Sequence, residues 1–170
     1  MAILPIVTVP DPLLKTVSTP ADVVDDDLRA LMDDMLDTMY AAPGIGLAAI
    51  QVGRPIRVLV MDLSDEEAPP NPKYYVNPVI TWASEDRAVY NEGCLSVPEQ
   101  YADIERPAAC KISYLDYHGA EQQIHATGLL ATCIQHEIDH LNGVVFIDYL
   151  SSLKRGIAVR KVKKLVKEED

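Results

Sequence analysis

The stretch from Leu129 to Leu141, which reads LLATCIQHEIDHL, decides the fold. It is too long for a typical strand, and it is followed by Asn142 and Gly143, residues that commonly end a helix. Apolar residues lie nearly all round this helix, which is typical of a helix buried on every side. These residues are Leu129, Leu130, Ala131, Ile134, Ile138 and Leu141. The stretch therefore predicts a helix at the centre of the core.

The same helix carries His136, Glu137 and His140 in the pattern H-E-x-x-H. Histidines four residues apart lie on one helical face, close enough to bind one cation. Glu137 lies about 100° further round, at the edge of that face. Three ionisable side chains in so apolar a helix are costly unless a compensating charge is present, and a divalent cation supplies one. The pattern predicts a metal site.

Cys94 is the best candidate for the third ligand. It lies beside a glycine in the segment 91–98, NEGCLSVP, between expected strands. One thiolate and two imidazoles leave a coordination position open, which indicates a catalytic site. Cys133 is the alternative, one turn before His136, and a site with both cysteines would be closed and structural. Buried free cysteines are common, which favours Cys133 as a pocket wall, but the spacing leaves both arrangements open.

Further patterns place other elements around this helix. Apolar residues recur with helical spacing over 24–41, which predicts an N-terminal helix. Runs rich in β-formers predict strands over 56–63, 74–81, 111–116 and 122–126. A basic C-terminal helix is predicted over 152–167, with Leu153, Ile157, Val162 and either Leu165 or Val166 facing inward. The expected class is α+β, with antiparallel strands around the central helix and a helix at each end.

The bulk properties fit one compact domain. The chain has 170 residues, of which 48% are hydrophobic. We expect a catalytic domain over 1–151, with the basic helix 152–170 as part of the same domain. No secretory signal or membrane span is predicted, and three cysteines are too few for a disulfide framework, so a cytoplasmic location is expected. We also expect a monomer.

Charge is distributed unevenly along the chain. Residues 1–150 hold 8 basic and 23 acidic side chains, a net charge of −15, whereas residues 151–170 hold 7 basic and 3 acidic ones, a net charge of +4. The body should avoid nucleic acid, while the tail could contact it. The two interpretations of the tail are a solvated helix face and a surface that binds nucleic acid.

Three segments resemble the bacterial type of peptide deformylase. They are GIGLAAIQ at 44–51, EGCLS at 92–96 and QHEIDH at 135–140, which occur in that family's order and spacing. The resemblance implies an iron- or zinc-dependent enzyme that removes the formyl group from N-formylmethionyl nascent polypeptides. It implies ferrous iron as the metal in the cell, with zinc, nickel or cobalt able to replace it. Because related enzymes work at the ribosome, it also implies that the basic residues of the tail could dock on ribosomal RNA.

The same resemblance implies roles for individual residues. Cys94, His136 and His140 would bind the metal ion, and Glu137 would act as general acid and base. The Gln51 amide and the Leu95 backbone N–H would donate to the developing oxyanion.

The substrate is expected in a pocket next to the metal ion. Ile45, Leu129 and Cys133 would line the methionine pocket, with Glu92 near its rim. The peptide would lie as an added strand along the loop that contains Gly44 and Gly46, because glycines allow close backbone approach.

Two positions need separate comment. Tyr101 stands where many bacterial members of that family carry arginine, so contacts beyond the methionine should differ. Asp139, next to a predicted ligand, needs a charged partner, and Arg106 is the predicted one.

Two other functions share parts of this pattern. A zinc peptidase would also have the H-E-x-x-H helix, but it usually takes its third ligand downstream, and no histidine follows His140. A non-enzymatic, metal-stapled protein associated with the ribosome would use both Cys94 and Cys133 as ligands.

Overall fold

The computed structural model describes residues 2–169 and confirms the α+β class. Its helices and strands, in chain order, are α1 (Asp26–Ala41), β1 (Gly46–Ala48), β2 (Val58–Met61), β3 (Lys73–Ala83), β4 (Arg87–Cys94), β5 (Val97–Pro107), β6 (Ala109–Leu115), β7 (Glu121–Thr127), α2 (Gly128–Leu141) and α3 (Ser152–Glu169). Met1 and Asp170, the ends of the predicted domain range, lie outside the described residues. Within residues 2–169 no helix is long and apolar enough to cross a membrane.

The strands form two antiparallel sheets. The larger sheet has the order β1-β2-β3-β6-β7, and the smaller one is the hairpin of β4 and β5. The four predicted strands correspond to β2, β3, β6 and β7 and are confirmed. The hairpin strands lie outside the predicted ranges. This matters for the site, because Cys94 is the last residue of β4.

Helix α1 begins two residues later than predicted, since Asp25 is its N-cap. The Asp25 carboxylate accepts a hydrogen bond from the backbone N–H of Leu28 at 2.9 Å. Asp26 and Asp27 follow in the first turn, where negative charge stabilises the positive end of the helix dipole. The apolar face, including Met32 and Met35, is fully buried against the sheet.

Helix α2 is the buried central helix that the sequence predicts. Apolar residues such as Ile134 and Leu141 are fully buried in a core formed with the large sheet. Its C-terminal end is tied to the rest of the chain by Arg57, whose Nη1 donates to the Leu141 carbonyl oxygen at 3.0 Å and whose Nη2 donates to Asn142 Oδ1 at 3.0 Å. These bonds satisfy polar groups that a helix end leaves unpaired, and they hold the helix in place.

Helix α3 packs on the hairpin through part of the predicted face, since Val162 and Val166 contact the core whereas Leu153 and Ile157 do not. Ala158 and Val162 are buried, the latter as predicted. Leu153 and Ile157 are 71% and 37% exposed, so their predicted inward position is wrong. The packing face is centred on Ala158, and Leu153 lies about 140° round the helix from it at about 100° per residue.

Gly143 lies two residues after α2, at a position where an added side chain should strongly lower the stability of the fold. Its φ is +78°, and an added Cβ would lie 2.4 Å from the Lys15 carbonyl oxygen. We expect Gly143→Ala to lower the free energy of unfolding by about 3 kcal/mol or more, since backbone strain and a clash with main chain add. Urea unfolding at equal metal saturation measures this.

The matched control is Gly53→Ala. Gly53 has a similar φ of +86°, but an added Cβ would have no neighbour within 4 Å. Strain alone should cost about 1 kcal/mol there. Equal losses at both positions would contradict the close contact with Lys15.

Candidate metal centre

The structure brings Cys94, His136 and His140 together. One ligand atom from each lies within 4.8 Å of the other two, and Cys94 Sγ is 3.2 Å from His140 Nε2. The two histidines follow from the spacing along α2. Cys94 reaches them because the hairpin turns tightly at residues 95–96, so that the end of β4 faces the helix.

The chemistry of this group fits a divalent metal ion. Both imidazoles are buried, and His140 turns its Nε2 towards Cys94 Sγ. The backbone N–H of Ser96 and the amide of Gln51 donate towards Cys94 Sγ from 3.4 and 3.5 Å. A thiolate and two imidazoles suit iron or zinc.

Cys133 lies apart from this group. Burial, together with the nearby charges of Glu137 and Glu92, raises the pKa of the Cys133 thiol to about 12. The group of ligand atoms that lie within 4.8 Å of one another consists of Cys94, His136 and His140 and does not include Cys133. Cys133 instead lines the cavity beside the cluster. This favours the open three-ligand arrangement over the closed one.

Glu137 lies next to the predicted ligands with one oxygen available. Its Oε1 is 3.6 Å from His136 Nε2, while its Oε2 is buried and has no hydrogen-bond partner within residues 2–169. Burial raises the pKa of Glu137 to about 7, although the positive charges of His136 and Arg106 oppose this. Gly46 makes room for the carboxylate, since a Cβ there would be 3.2 Å from Glu137 Cδ. The group is therefore suited to exchanging a proton near neutral pH.

Glu92 has a position that differs from the predicted one at the pocket rim. It is buried, and its Oε1 lies 2.9 Å from His136 Nδ1. Arg106 donates to the same carboxylate through Nε at 2.7 Å and Nη2 at 3.0 Å. Burial alone would raise the pKa of Glu92, but these hydrogen bonds outweigh it and lower the pKa. Because Nδ1 is engaged, His136 presents Nε2 to the cluster.

The predicted partner of Asp139 is confirmed. Arg106 Nη1 donates to Asp139 Oδ2 at 2.8 Å. The hydroxyl of Tyr149 donates to the same oxygen at 2.6 Å, and the Arg106 guanidinium lies 5.1 Å from the centre of the Tyr149 ring. Asp139 is half-buried. The contact between Tyr149 and Arg106 joins residues far apart along the chain, so no local pattern predicted it.

Gln51, in a short 3₁₀ helix after β1, and Leu95, in the turn of the hairpin, both line the cavity beside the cluster. Gln51 Oε1 accepts from the backbone N–H of Ala48 at 2.9 Å, and its Nε2 donates to Ser96 Oγ at 3.1 Å. These bonds fix the amide, and Ser96 is a residue that sequence reasoning missed. Leu95 packs on Gly44, where a Cβ would lie 2.8 Å from Leu95 Cδ1. Gly44 thus accommodates a side chain of the hairpin.

A cavity of about 570 Å³ opens beside the cluster. The predicted substrate residues line it: Gly44, Ile45, Gly46, Glu92, Leu129 and Cys133. Ile45 and Leu129 are 47% and 46% exposed at its mouth, so their apolar surface is available to a ligand. A volume of this size suits a small peptide or a ligand of similar bulk.

A soft three-ligand cluster, an adjacent buried carboxylate and an open cavity together define the class of a single-metal hydrolase. The family model described as polypeptide deformylase matches residues 3–156. The chain belongs to the polypeptide deformylase family, and it is a metal-dependent hydrolase.

Individual relatives agree with this assignment. The chain is 63% identical to the peptide deformylase of Phenylobacterium zucineum over 98% of its own length and 99% of the relative's. It is 64% identical to that of Maricaulis maris over 100% and 98%. The crystal structure of peptide deformylase from Ehrlichia chaffeensis in complex with actinonin has 48% identity and a TM-score of 0.92, with 96% of this chain and 98% of that one covered.

The position of Glu92 leads to a prediction about metal affinity. Glu92→Gln keeps the shape of the side chain but removes the charge that orients His136 and neutralises Arg106. We expect zinc affinity, measured by competition with a fluorescent chelator, to fall about 10- to 100-fold. The matched control is Glu105→Gln on β5, whose carboxylate is exposed and which should leave affinity unchanged. An unaltered affinity in Glu92→Gln would contradict the orienting role.

Proposed function

We propose that Cys94, His136, His140 and Glu137 form the active site with which this chain removes the formyl group from N-formylmethionyl nascent polypeptides by hydrolysis. The observation that supports this most directly is the meeting of the three ligand atoms beside a buried carboxylate in an open cavity. The family to which the chain belongs performs the same reaction.

One divalent metal ion would be held by Cys94, His136 and His140. When bound, it would supply a Lewis acid that polarises the formyl group and acidifies water. We propose ferrous iron in the cell, with zinc or nickel as replacements, because a thiolate with two imidazoles accepts any of these. Metal analysis of anaerobically purified protein measures which ion is present.

Glu137 would move the proton. Its Oε1 lies 3.6 Å from His136 Nε2, and its raised pKa allows the carboxylate to accept a proton from the attacking water and return it to the leaving amine. A nearby divalent cation would lower that pKa, which favours the ionised form needed before the attack.

Gln51 and Leu95 would stabilise the negative charge that develops on the formyl oxygen. The Gln51 amide is held by Ala48 and Ser96, so its Nε2–H is already oriented towards the cluster. The Leu95 backbone N–H lies in the turn directly after Cys94. Preoriented donors stabilise a transition state without reorganisation, and one such donor contributes about 10²- to 10³-fold in rate.

The substrate would enter along β1. Ile45, Leu129 and Cys133 offer apolar surface for the methionine side chain. The edge strand β1, which starts at Gly46, is free on one side in the sheet order and can pair with an extended peptide. Main-chain pairing of this kind is indifferent to side chains, which suits a substrate of varied sequence.

Replacing Glu137 tests the assigned role. We expect Glu137→Gln to keep its metal ion and to lower the rate of formate release from formyl-Met-Ala-Ser about 10²- to 10⁴-fold, since general acid–base catalysis is lost. Glu121→Gln, on the exposed edge strand β7, is the control and should retain full activity. Chelation should abolish formate release by the unaltered protein.

The same assay separates the two alternatives. A zinc peptidase would release amino acids from an unformylated peptide, whereas a metal-stapled structural protein would release nothing. Formate production that persists in Glu137→Gln with a full metal content would contradict the assigned role.

We further propose that this is a cytoplasmic monomer in which residues 1–151 and the helix 152–170 form one domain. The free cysteines fit a reducing compartment. All three proposed ligands come from one chain, and Ala158 and Val162 of α3 are buried against the residues that precede the helix.

We also propose that the exposed basic residues of α3 bind ribosomal RNA. Deleting the helix would uncover the core residues that pack with Val162, such as Ile104 and Phe146, so a charge change is the cleaner test. We expect the triple change of Arg160, Lys163 and Lys167 to Gln to weaken ribosome pelleting at least about tenfold at low salt, because phosphate contacts are lost. The triple change of Arg54, Lys73 and Lys111 to Gln is the matched control on the body. Equal pelleting of both variants would contradict the proposal.

A further inference from the structure

A second groove lies on the hairpin side of the molecule, between β5 and α3. Its volume is about 390 Å³. Phe146, Ile147 and Ala158 are buried beneath it, and Ile157 forms a 37% exposed apolar wall. None of the proposed catalytic or metal-binding residues lines this groove. It offers apolar surface that no described segment of the chain covers.

Tyr101 connects this groove to the active-site cavity, because it lines both. It is 70% exposed, yet its ring is held in place. Tyr101 pairs across the hairpin with Gly93, and a Cβ on Gly93 would lie 2.5 Å from Tyr101 Cε1. The ring therefore packs directly on the glycine backbone, as aromatic side chains do opposite a glycine in a sheet. It forms a fixed apolar surface between the two hollows.

The charge of the groove fits a polypeptide better than RNA. Its lining includes one acidic residue, Asp103, and one basic residue, Lys154. A nucleic-acid site would need an excess of positive charge, and the other basic residues of α3 lie outside the groove. A nearly neutral groove with both apolar and polar surface instead suits extended chains of varied sequence.

We propose that this groove binds the part of the substrate polypeptide that lies several residues downstream of the formylmethionine. The inference rests on the proposed function, since a nascent polypeptide continues beyond the active site and has to leave the cavity. The surface of Tyr101 leads from the mouth of the cavity into the groove. There, apolar side chains of the downstream segment would contact Ile157 and the surface above Phe146.

The test compares short and long substrates with the metal-loaded protein. The short one is formyl-Met-Ala-Ser, and the long one continues for about six further residues, several of them apolar, which extends it by about 20 Å. We expect kcat/KM for the long peptide to exceed that for the short one about fivefold, which corresponds to burying about one to two methylene groups. Ile157→Glu should reduce this ratio to about one and leave kcat/KM for the short peptide unchanged.

The matched control is Leu153→Glu, which places the same charge one turn earlier on α3, at an exposed position outside the groove. Leu153→Glu should keep the ratio of the unaltered protein. Ile157→Ser, a milder substitution in the groove, should also lower the ratio. A ratio of one in the unaltered protein, or an unchanged ratio in Ile157→Glu, overturns the proposal. So does a shift in sedimentation of Ile157→Glu with an unchanged ratio, since the groove would then be a contact between copies.

Failure of this inference is distinguishable from failure of the proposed function. If no formate is released from the short peptide, the function is wrong. If formate is released but length has no effect, only the groove assignment is wrong.

Discussion

The burial of ionisable groups on α2 is the constraint on which the rest of the structure depends. His136, Glu137 and His140 lie in the core, where an uncompensated charge would cost several kcal/mol. The protein offsets this partly through Arg106, which lies between the carboxylates of Glu92 and Asp139. The negative charge of the carboxylates that Arg106 does not neutralise is suited to a divalent cation. Metal binding and the stability of the core are therefore coupled in this fold.

Because of this constraint, the hairpin of β4 and β5 carries both a proposed metal ligand and the groups that orient and neutralise its neighbours. The strand β4 ends at the proposed ligand Cys94 and carries Glu92 two residues earlier, while β5 carries Arg106. Ligand and orienting group thus move together, since they share two paired strands. A displacement of the hairpin would disturb the sulfur position and the orientation of His136 at once. The tight packing of Tyr101 on Gly93 helps to keep the strands in register.

The parts of the site that depend on local spacing could be predicted from the sequence. The spacing of His136 and His140 along one helix was enough to predict both as metal ligands. The glycine before Cys94 favoured Cys94 as the third ligand. The hairpin strands could not be predicted, because turn-forming residues interrupt the strand pattern of β5. Glu99, for example, has a φ of +61°. The contact of Glu92 with His136 spans 44 residues, and no local pattern encodes it.

The error on α3 has a physical cause that also bears on function. Apolar residues are spread round this helix, so periodicity does not identify one face, and the small side chain of Ala158 lets the helix approach the hairpin closely. That packing leaves Ile157 exposed beside a hollow. Folding alone would favour burying it. Positions where a local rule fails without a compensating gain in stability are those where a binding role is most expected, and here the exposed side chain lies on a surface continuous with the active-site cavity.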